Sequence, residues 1–86
     1  MYKILLSKES VKFYKKSDIK IKRQVNECFE SLKTSPLNGL NIKRLHGALD
    51  GLFRYRVGSL RVVYKIDESI ISVVIVAIGS RGDICK

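Results

Sequence analysis

The chain has 86 residues, enough for one small domain spanning 1–86 and too few for a second. Its 17 Lys and Arg residues against 8 Asp and Glu give a net charge of +9, which favours a nucleic acid, an acidic protein or an anionic membrane surface as partner. No stretch approaches the ~18 apolar residues of a membrane-spanning helix, and the N-terminus lacks the apolar core of a signal peptide. We therefore expect a cytoplasmic protein with no membrane-spanning segment, and we do not predict the membrane as its partner.

The N-terminal half predicts one strand followed by two helices. Residues 2–6 (YKILL) have strand character, and Ser7 can cap a helix over residues 8–16. Asp18 can cap a second helix, which Pro36 ends because the residue before a proline avoids the helical conformation. The inward face of this second helix is a stripe at helical spacing, formed by Ile21, Val25, Cys28, Phe29 and Leu32.

The two cysteines are expected to be reduced. Cys28 lies on the apolar stripe and is predicted to be a core residue, whereas Cys85 lies in the C-terminal tail. They are far apart in sequence and match no metal-ligand spacing, so we predict no disulfide, no metal site and no cofactor.

The C-terminal half is rich in strand signals. After a strand at 42–45 and a turn-rich interval through Gly51, residues 52–57 and 60–65 form a hairpin closed by Gly58-Ser59. A tight turn at 67–68 leads to residues 70–78, which are apolar on both faces and predict a central buried strand that Gly79 ends. The expected fold is α+β: an N-terminal strand, two helices, then a mainly antiparallel sheet of three to four strands with the helices on one face.

The two-residue turn fixes which side chains of the hairpin lie opposite each other. Arg56 is expected to face Arg61, and Arg54 to face Val63. Alternation then gives one core face and one cationic face. The core face comprises Phe53, Tyr55, Val57, Leu60, Val62, Tyr64 and Ile66, and the cationic face carries Arg54, Arg56, Arg61 and Lys65 around Val63. With the tight turn at 67–68, Leu60 would lie beside Ile75 and Arg81 near the two facing arginines.

Two facing arginines repel each other and disfavour the sheet unless an anion compensates them. Salt bridges within the chain could do so on a solvated face. A bound phosphate, gripped bidentately by guanidinium groups, would instead make the same face a binding site. We interpret this face as the functional surface.

Three segments together resemble the RelE/ParE superfamily of toxins from type II toxin–antitoxin systems, and the resemblance covers nearly the whole chain. They are KRLHG at 43–47, GLFRYRVGSLRVVY at 51–64 and IGSRGDI at 78–84. The resemblance implies a microbial RNase-like fold and a RelE-type toxin. It also implies a cognate antitoxin as partner, and the ribosomal A site and mRNA as targets.

The resemblance further implies metal-free cleavage of mRNA, in which the 2′-hydroxyl attacks the adjacent phosphate to give a 2′,3′-cyclic phosphate. Arg61 and Arg81 match the family's phosphate-gripping arginines, while Arg54 and Arg56 stand where lysines are common. Cys85 stands where a tyrosine is usual, and Ser80 where a histidine often precedes the last arginine. The catalytic set is thus expected to be Arg56, Arg61, Arg81 and Cys85. The RNA-binding set is expected to be Arg54, Lys65, Lys43, Arg44 and Lys86.

Such a reaction needs a base, an acid and cations at the phosphorus oxygens. Arginine serves the last role and is a poor proton carrier, so Lys65, His46 and the Cys85 thiol remain open as proton-transfer groups. A lone histidine in a turn is more often structural.

Three alternatives remain open. The first is a ParE-type toxin that poisons DNA gyrase and needs no proton-transfer group. The second is an attenuated or inactive RelE variant in which Cys85 has replaced the usual tyrosine. The third is a basic nucleic-acid-binding module without toxicity.

Overall fold

The computed structural model of the chain describes residues 1–37, 39, 41–49 and 51–80, with every side chain in these ranges except those of residues 49 and 80. The helices are α1 (Lys8–Lys16) and α2 (Ile19–Thr34). The strands are β1 (Lys3–Leu6), β2 (Ile42–Arg44), β3 (Phe53–Val57), β4 (Leu60–Asp67) and β5 (Ser72–Ser80), with a short 3₁₀ turn at Gly47–Leu49. The predicted α+β fold, with four strands after the two helices, is confirmed.

The five strands form one sheet in the order β1-β5-β4-β3-β2. β1 pairs with β5 in parallel, and the other three pairings are antiparallel. β5 lies between β1 and β4, as its apolar residues on both faces predict. No helix of the described ranges is long and apolar enough to cross a membrane.

Both helices pack on one face of the sheet. Each begins at the residue predicted to cap it, because Ser7 Oγ accepts a hydrogen bond from the Ser10 amide and Asp18 Oδ1 accepts one from the Ile21 amide. Ser7 Oγ also donates to the Val76 carbonyl at 2.8 Å, which ties the start of α1 to β5. The core between the layers contains Val25, Cys28, Leu32, Phe53, Leu60, Val62, Tyr64, Val73, Ile75 and Ile78. No described helix contributes to the other side of the sheet, which we call the open face.

Tyr64 joins the sheet to the chain segment that follows α2. Its side chain is fully buried, and its hydroxyl donates to the Pro36 carbonyl at 2.6 Å. Its ring stacks on Phe53 with 5.5 Å between centroids. Tyr55, on the same face, is half-buried and its hydroxyl donates to Ser31 Oγ at 3.3 Å. Both tyrosines therefore pack on the helical side, as alternation predicts.

Cys28 is fully buried, as predicted, and its environment makes its thiol unreactive. Burial raises the pKa of Cys28 from 9.0 to about 12, and the thiolate is the form that reacts. We expect iodoacetamide at pH 8.5 to label the Cys28 peptide at least about tenfold more slowly in native than in urea-unfolded protein, as peptide mass spectrometry would measure. Equal labelling rates would contradict the buried position.

The buried thiol also makes stability depend on pH. Because the pKa of Cys28 is higher in the folded than in the unfolded chain, this thiol's contribution to stability is complete below pH 9 and falls as the pH rises towards 12.

The predicted register between β4 and β5 is wrong. Leu60 pairs with Ser80 rather than Ile75, and Gly79 continues the strand by pairing with Arg61. The connection is a four-residue loop, 68–71, in which Asp67 Oδ1 accepts hydrogen bonds from the Ser69 amide and hydroxyl. Relative to the register predicted from a tight turn at 67–68, this loop shifts the β4–β5 pairing by four positions. A bulge opposite Val63/Tyr64 shifts it by one more.

The bulge determines which β5 side chains enter the core. A shift of four leaves every side chain on its original face, whereas a shift of one exchanges the faces. Because the bulge lies between Ile75 and Ile78, both side chains reach the core although they are three positions apart.

Candidate functional site

The Gly58-Ser59 turn holds the two central arginines opposite each other. Gly58 has a φ of 57°, a conformation that glycine adopts without steric cost and that suits the first position of this hairpin turn. Arg56 pairs with Arg61 and Val57 with Leu60, so the predicted hairpin register is confirmed.

These arginines line a cleft of about 580 Å³ at the end of the hairpin, together with Gly58, Ser59 and Leu60. Arg56 is exposed and Arg61 half-buried. The described part of the chain contains one ion pair, Lys33–Glu30, so neither arginine is neutralised by a described carboxylate. Across the next pairing Arg61 meets Gly79, which has no side chain to cover it. The two guanidinium groups are therefore available to an external anion.

The paired Arg56 and Arg61 form one row of cations across the open face, and a second row lies beside it. Lys43 pairs with Arg54, which in turn pairs with Val63. Arg54 and Arg56 are two residues apart on β3 and so about 6.6 Å apart along the strand. The Nε atom of Arg54 is buried and has no hydrogen-bond partner among the described residues. Two adjacent rows thus carry four cations, a pattern that suits a chain of successive phosphates.

Lys65 shares the open face but lies at the far end of β4. It is four residues from Arg61, or about 13 Å along the strand. Its neighbour on that face is Asp67, whose pKa is lowered mainly by the hydrogen bond from the Ser69 hydroxyl and to a lesser extent by Lys65. Lys65 therefore adds to the positive field of the face without lining the cleft.

Arg44 and His46 are not on the cleft. Arg44 pairs with Phe53 and lies on the helical side of the sheet, where its guanidinium stands 5.4 Å from the Phe53 ring centroid. It therefore faces away from Lys43, with which it was expected to form one surface. His46 is exposed and follows β2 at the end of the sheet farther from Arg56.

Arg81 and Cys85, which are expected to be catalytic, and Lys86, which is expected to bind RNA, lie outside the described residues. The described part of β5 ends at Ser80 opposite Leu60, the neighbour of Arg61. Their roles remain predictions from sequence.

Sequence reasoning missed one residue at the hairpin. The side chain of Gln24, on α2, reaches the backbone of the turn at Gly58. A polar residue next to an apolar stripe normally indicates a solvent-facing position, so the sequence contains no signal for this contact.

Comparison with known proteins places the chain among toxins. A family model described as the ParE toxin of type II toxin-antitoxin system, parDE, matches residues 5–84. The RelBE2 toxin–antitoxin complex from Mycobacterium tuberculosis has a chain that is 28% identical, with a TM-score of 0.81 over 93% of this chain and 98% of that one. The archaeal RelE–RelB complex from Pyrococcus horikoshii is 25% identical, with a TM-score of 0.80 and coverage of 95% and 97%.

The isolated Escherichia coli RelE toxin has the same fold, with 17% identity, a TM-score of 0.80 and coverage of 94% of this chain and 85% of that one. No curated protein sequence matches the chain significantly. The fold and its matches define a toxin of a type II toxin–antitoxin system. The chain belongs to the ParE toxin family, within the RelE/ParE superfamily that its motifs indicate.

Proposed function

We propose that this toxin is a metal-free endoribonuclease that cuts mRNA in the ribosomal A site and so inhibits translation. The observation that supports the proposal most directly is the Arg56–Arg61 pair, which lines a cleft and has no described carboxylate as partner. Like charges at this spacing cost stability, and a bound phosphate turns that cost into binding energy.

The chemistry assigned to the pair is charge stabilisation. The 2′-oxygen forms a bond to phosphorus while the bond from phosphorus to the 5′-oxygen breaks, which gives a 2′,3′-cyclic phosphate and a 5′-hydroxyl. Negative charge grows on the non-bridging oxygens during this step, and Arg56 and Arg61 donate fixed, charged hydrogen bonds to them. Arg81 is proposed as a third donor from its place in the sequence motif.

The proton leaving the 2′-hydroxyl requires a base, and the leaving 5′-oxygen requires an acid. Lys65 and His46 lie at the far end of the sheet from Arg56 and Arg61. Among the three proton-transfer candidates of this chain, the Cys85 thiol is therefore the one we assign to the site, on sequence grounds.

We further propose a cognate antitoxin as partner and the cytoplasm as location. Two of the similar structures are toxin–antitoxin complexes, RelBE2 and RelE–RelB. An antitoxin segment with carboxylates would complement the four cations of the two rows, and covering them would block RNA access.

A ParE-type toxin that acts on DNA gyrase is the second candidate. The family model that matches the chain is that of ParE toxins. The described residues around the cleft include arginines, Gly58, Ser59 and Leu60 but no residue suited to proton transfer at neutral pH. Binding and inhibition alone would need no such residue.

Mapping transcript 5′ ends after induced expression separates the two. The proposal expects new 5′ ends at fixed positions within codons of translated regions, and their disappearance when translation initiation is blocked. Gyrase poisoning expects double-strand DNA breaks and unchanged transcript ends. Cuts that persist on untranslated RNA would refute the ribosome dependence.

Restoring the family's usual tail residue gives a further prediction. If Cys85 is an attenuating replacement, Cys85→Tyr should strengthen growth arrest and raise cleavage by at least about tenfold, within the range that one positioned acid–base group contributes. Cys85→Ser removes the thiol without adding a ring, and it should lower cleavage because the thiol is the group assigned to proton transfer. Equal cleavage by the native and tyrosine forms would refute the attenuation.

A further inference from the structure

The turn between the strands that carry the two arginines is contacted by a side chain of α2, from the helical side of the sheet. A Cβ atom placed on Gly58 would lie 2.8 Å from Gln24 Nε2 and 3.4 Å from both Cδ and Oε1 of the same side chain. The whole amide group of Gln24 thus occupies the space beside the glycine. Gln24 is half-buried and comes from α2, on the side of the sheet opposite the open face.

The hairpin end needs such support for an electrostatic reason. Arg56 and Arg61 are directly paired, and their repulsion acts to separate β3 from β4 close to the hairpin end, where the Val57–Leu60 pair is followed by the turn. On the core side, Leu60 is 1% exposed and anchors one strand. Gly58 contributes no side chain, and the three atoms nearest to the place of its missing Cβ all belong to Gln24.

The polar chemistry of Gln24 does not explain its presence. Its Oε1 atom is buried and has no hydrogen-bond partner among the described residues. A buried acceptor without a partner lowers stability, so an apolar side chain of the same length would stabilise the fold at least as well. What the glutamine does provide is a side chain long enough to reach the turn.

We propose that Gln24 is a positioning residue, whose side chain holds the Gly58-Ser59 turn and thereby keeps Arg56 and Arg61 facing each other across the cleft. Its effect on cleavage rests on the proposed function. Its effect on the hairpin is a structural statement that holds for either candidate activity.

Amide hydrogen exchange of the folded toxin tests the structural part. Gln24→Ala should speed exchange at residues 56–61 by about tenfold, because local opening is limited by local contacts. Exchange at residues 64–66, in the second half of β4, should remain unchanged. Gln24→Met keeps the length of the side chain and should leave hairpin exchange within about threefold of the native rate. Asn26→Ala removes an amide from the exposed side of the same helix and is the matched control.

Three results would overturn this part. Either unchanged hairpin exchange in Gln24→Ala, or a uniform increase over the whole sheet, would show that Gln24 does not support the turn specifically. Equal acceleration by alanine and methionine would show that occupying the space is not its role.

RNA cleavage tests the functional part. With programmed ribosomes, Gln24→Ala should lower the cleavage rate by about tenfold, as a modest displacement of transition-state donors does, and Gln24→Met should restore it. If Gln24→Ala exchanges faster in the hairpin but cleaves RNA at the native rate, Gln24 supports the turn but does not position the arginines for cleavage. If the native protein cuts no RNA, the proposed function fails, and hydrogen exchange still decides whether Gln24 holds the turn.

Discussion

Under the proposed endoribonuclease function, Arg61→Ala is expected to lower RNA cleavage on the order of a hundredfold, the usual cost of removing one donor that acts in the transition state. Arg56→Ala should have an effect of the same size, because the two guanidinium groups face each other on the same cleft. Primer extension on programmed ribosomes would measure both variants.

The same substitutions should leave the stability of the fold unchanged or raise it slightly. Replacing one of two facing cations removes a like-charge repulsion. The midpoint temperature of thermal unfolding should therefore be unchanged or slightly higher, and the free energy of unfolding should change by no more than about 0.5 kcal/mol for partly exposed residues. A loss of activity with a gain or no change in stability is the signature of a binding site whose electrostatics oppose folding.

Lys12→Ala on α1 is the matched control, since it removes one exposed positive charge from a helix, far from the sheet's open face. Arg61→Lys tests the geometry, because an ammonium keeps the charge but cannot bind phosphate with two parallel hydrogen bonds. The cleavage rate of Arg61→Lys should lie between that of the native protein and that of Arg61→Ala. Unfolding of Arg61→Ala would make that arginine structural, and full cleavage would remove it from the mechanism.

The hairpin could be predicted from sequence because its turn is short and its signal local. Two residues with glycine first allow one register, and alternation then assigns every side chain to a face. The facing arginines, the centre of the candidate site, follow from that register alone. The same alternation applied to β2 would have separated Lys43 from Arg44, which are neighbours in sequence and so must point to opposite sides.

The β4–β5 register could not be predicted in this way. The loop 68–71 depends on Asp67 accepting hydrogen bonds from Ser69, and on Ile71 at a φ of 48°, which is rare for a β-branched residue. The bulge is hidden because β5 is apolar on both faces, so a one-residue shift leaves the hydrophobic pattern almost unchanged. The contact of Gln24 with Gly58 depends on how α2 lies over the sheet, which no local pattern encodes.

Tyr64→Phe is expected to destabilise the protein by about 1–3 kcal/mol, the cost of leaving a buried partner unsatisfied. The tyrosine hydroxyl donates to the carbonyl of Pro36, itself buried, and removing the hydroxyl leaves that oxygen without its donor. At about 4–8 °C per kcal/mol for a domain of this size, the midpoint of thermal unfolding should fall measurably. The ring stays in place, so its stacking on Phe53 is retained.

Tyr55→Phe supplies the matched control, because it deletes the same atom from a tyrosine whose hydroxyl donates at 3.3 Å to Ser31 in an exposed setting. Water can replace that bond, so the change should remain within about 0.5 kcal/mol. The hydroxyl of Tyr64 thus fastens the segment after α2 to the central sheet, on the side away from the arginines. Since Tyr64 lies on the face opposite Arg56 and Arg61, Tyr64→Phe at temperatures where it is folded should cleave RNA at the native rate. Equal destabilisation by the two phenylalanine variants would show that the buried bond to Pro36 contributes no more than a solvated one.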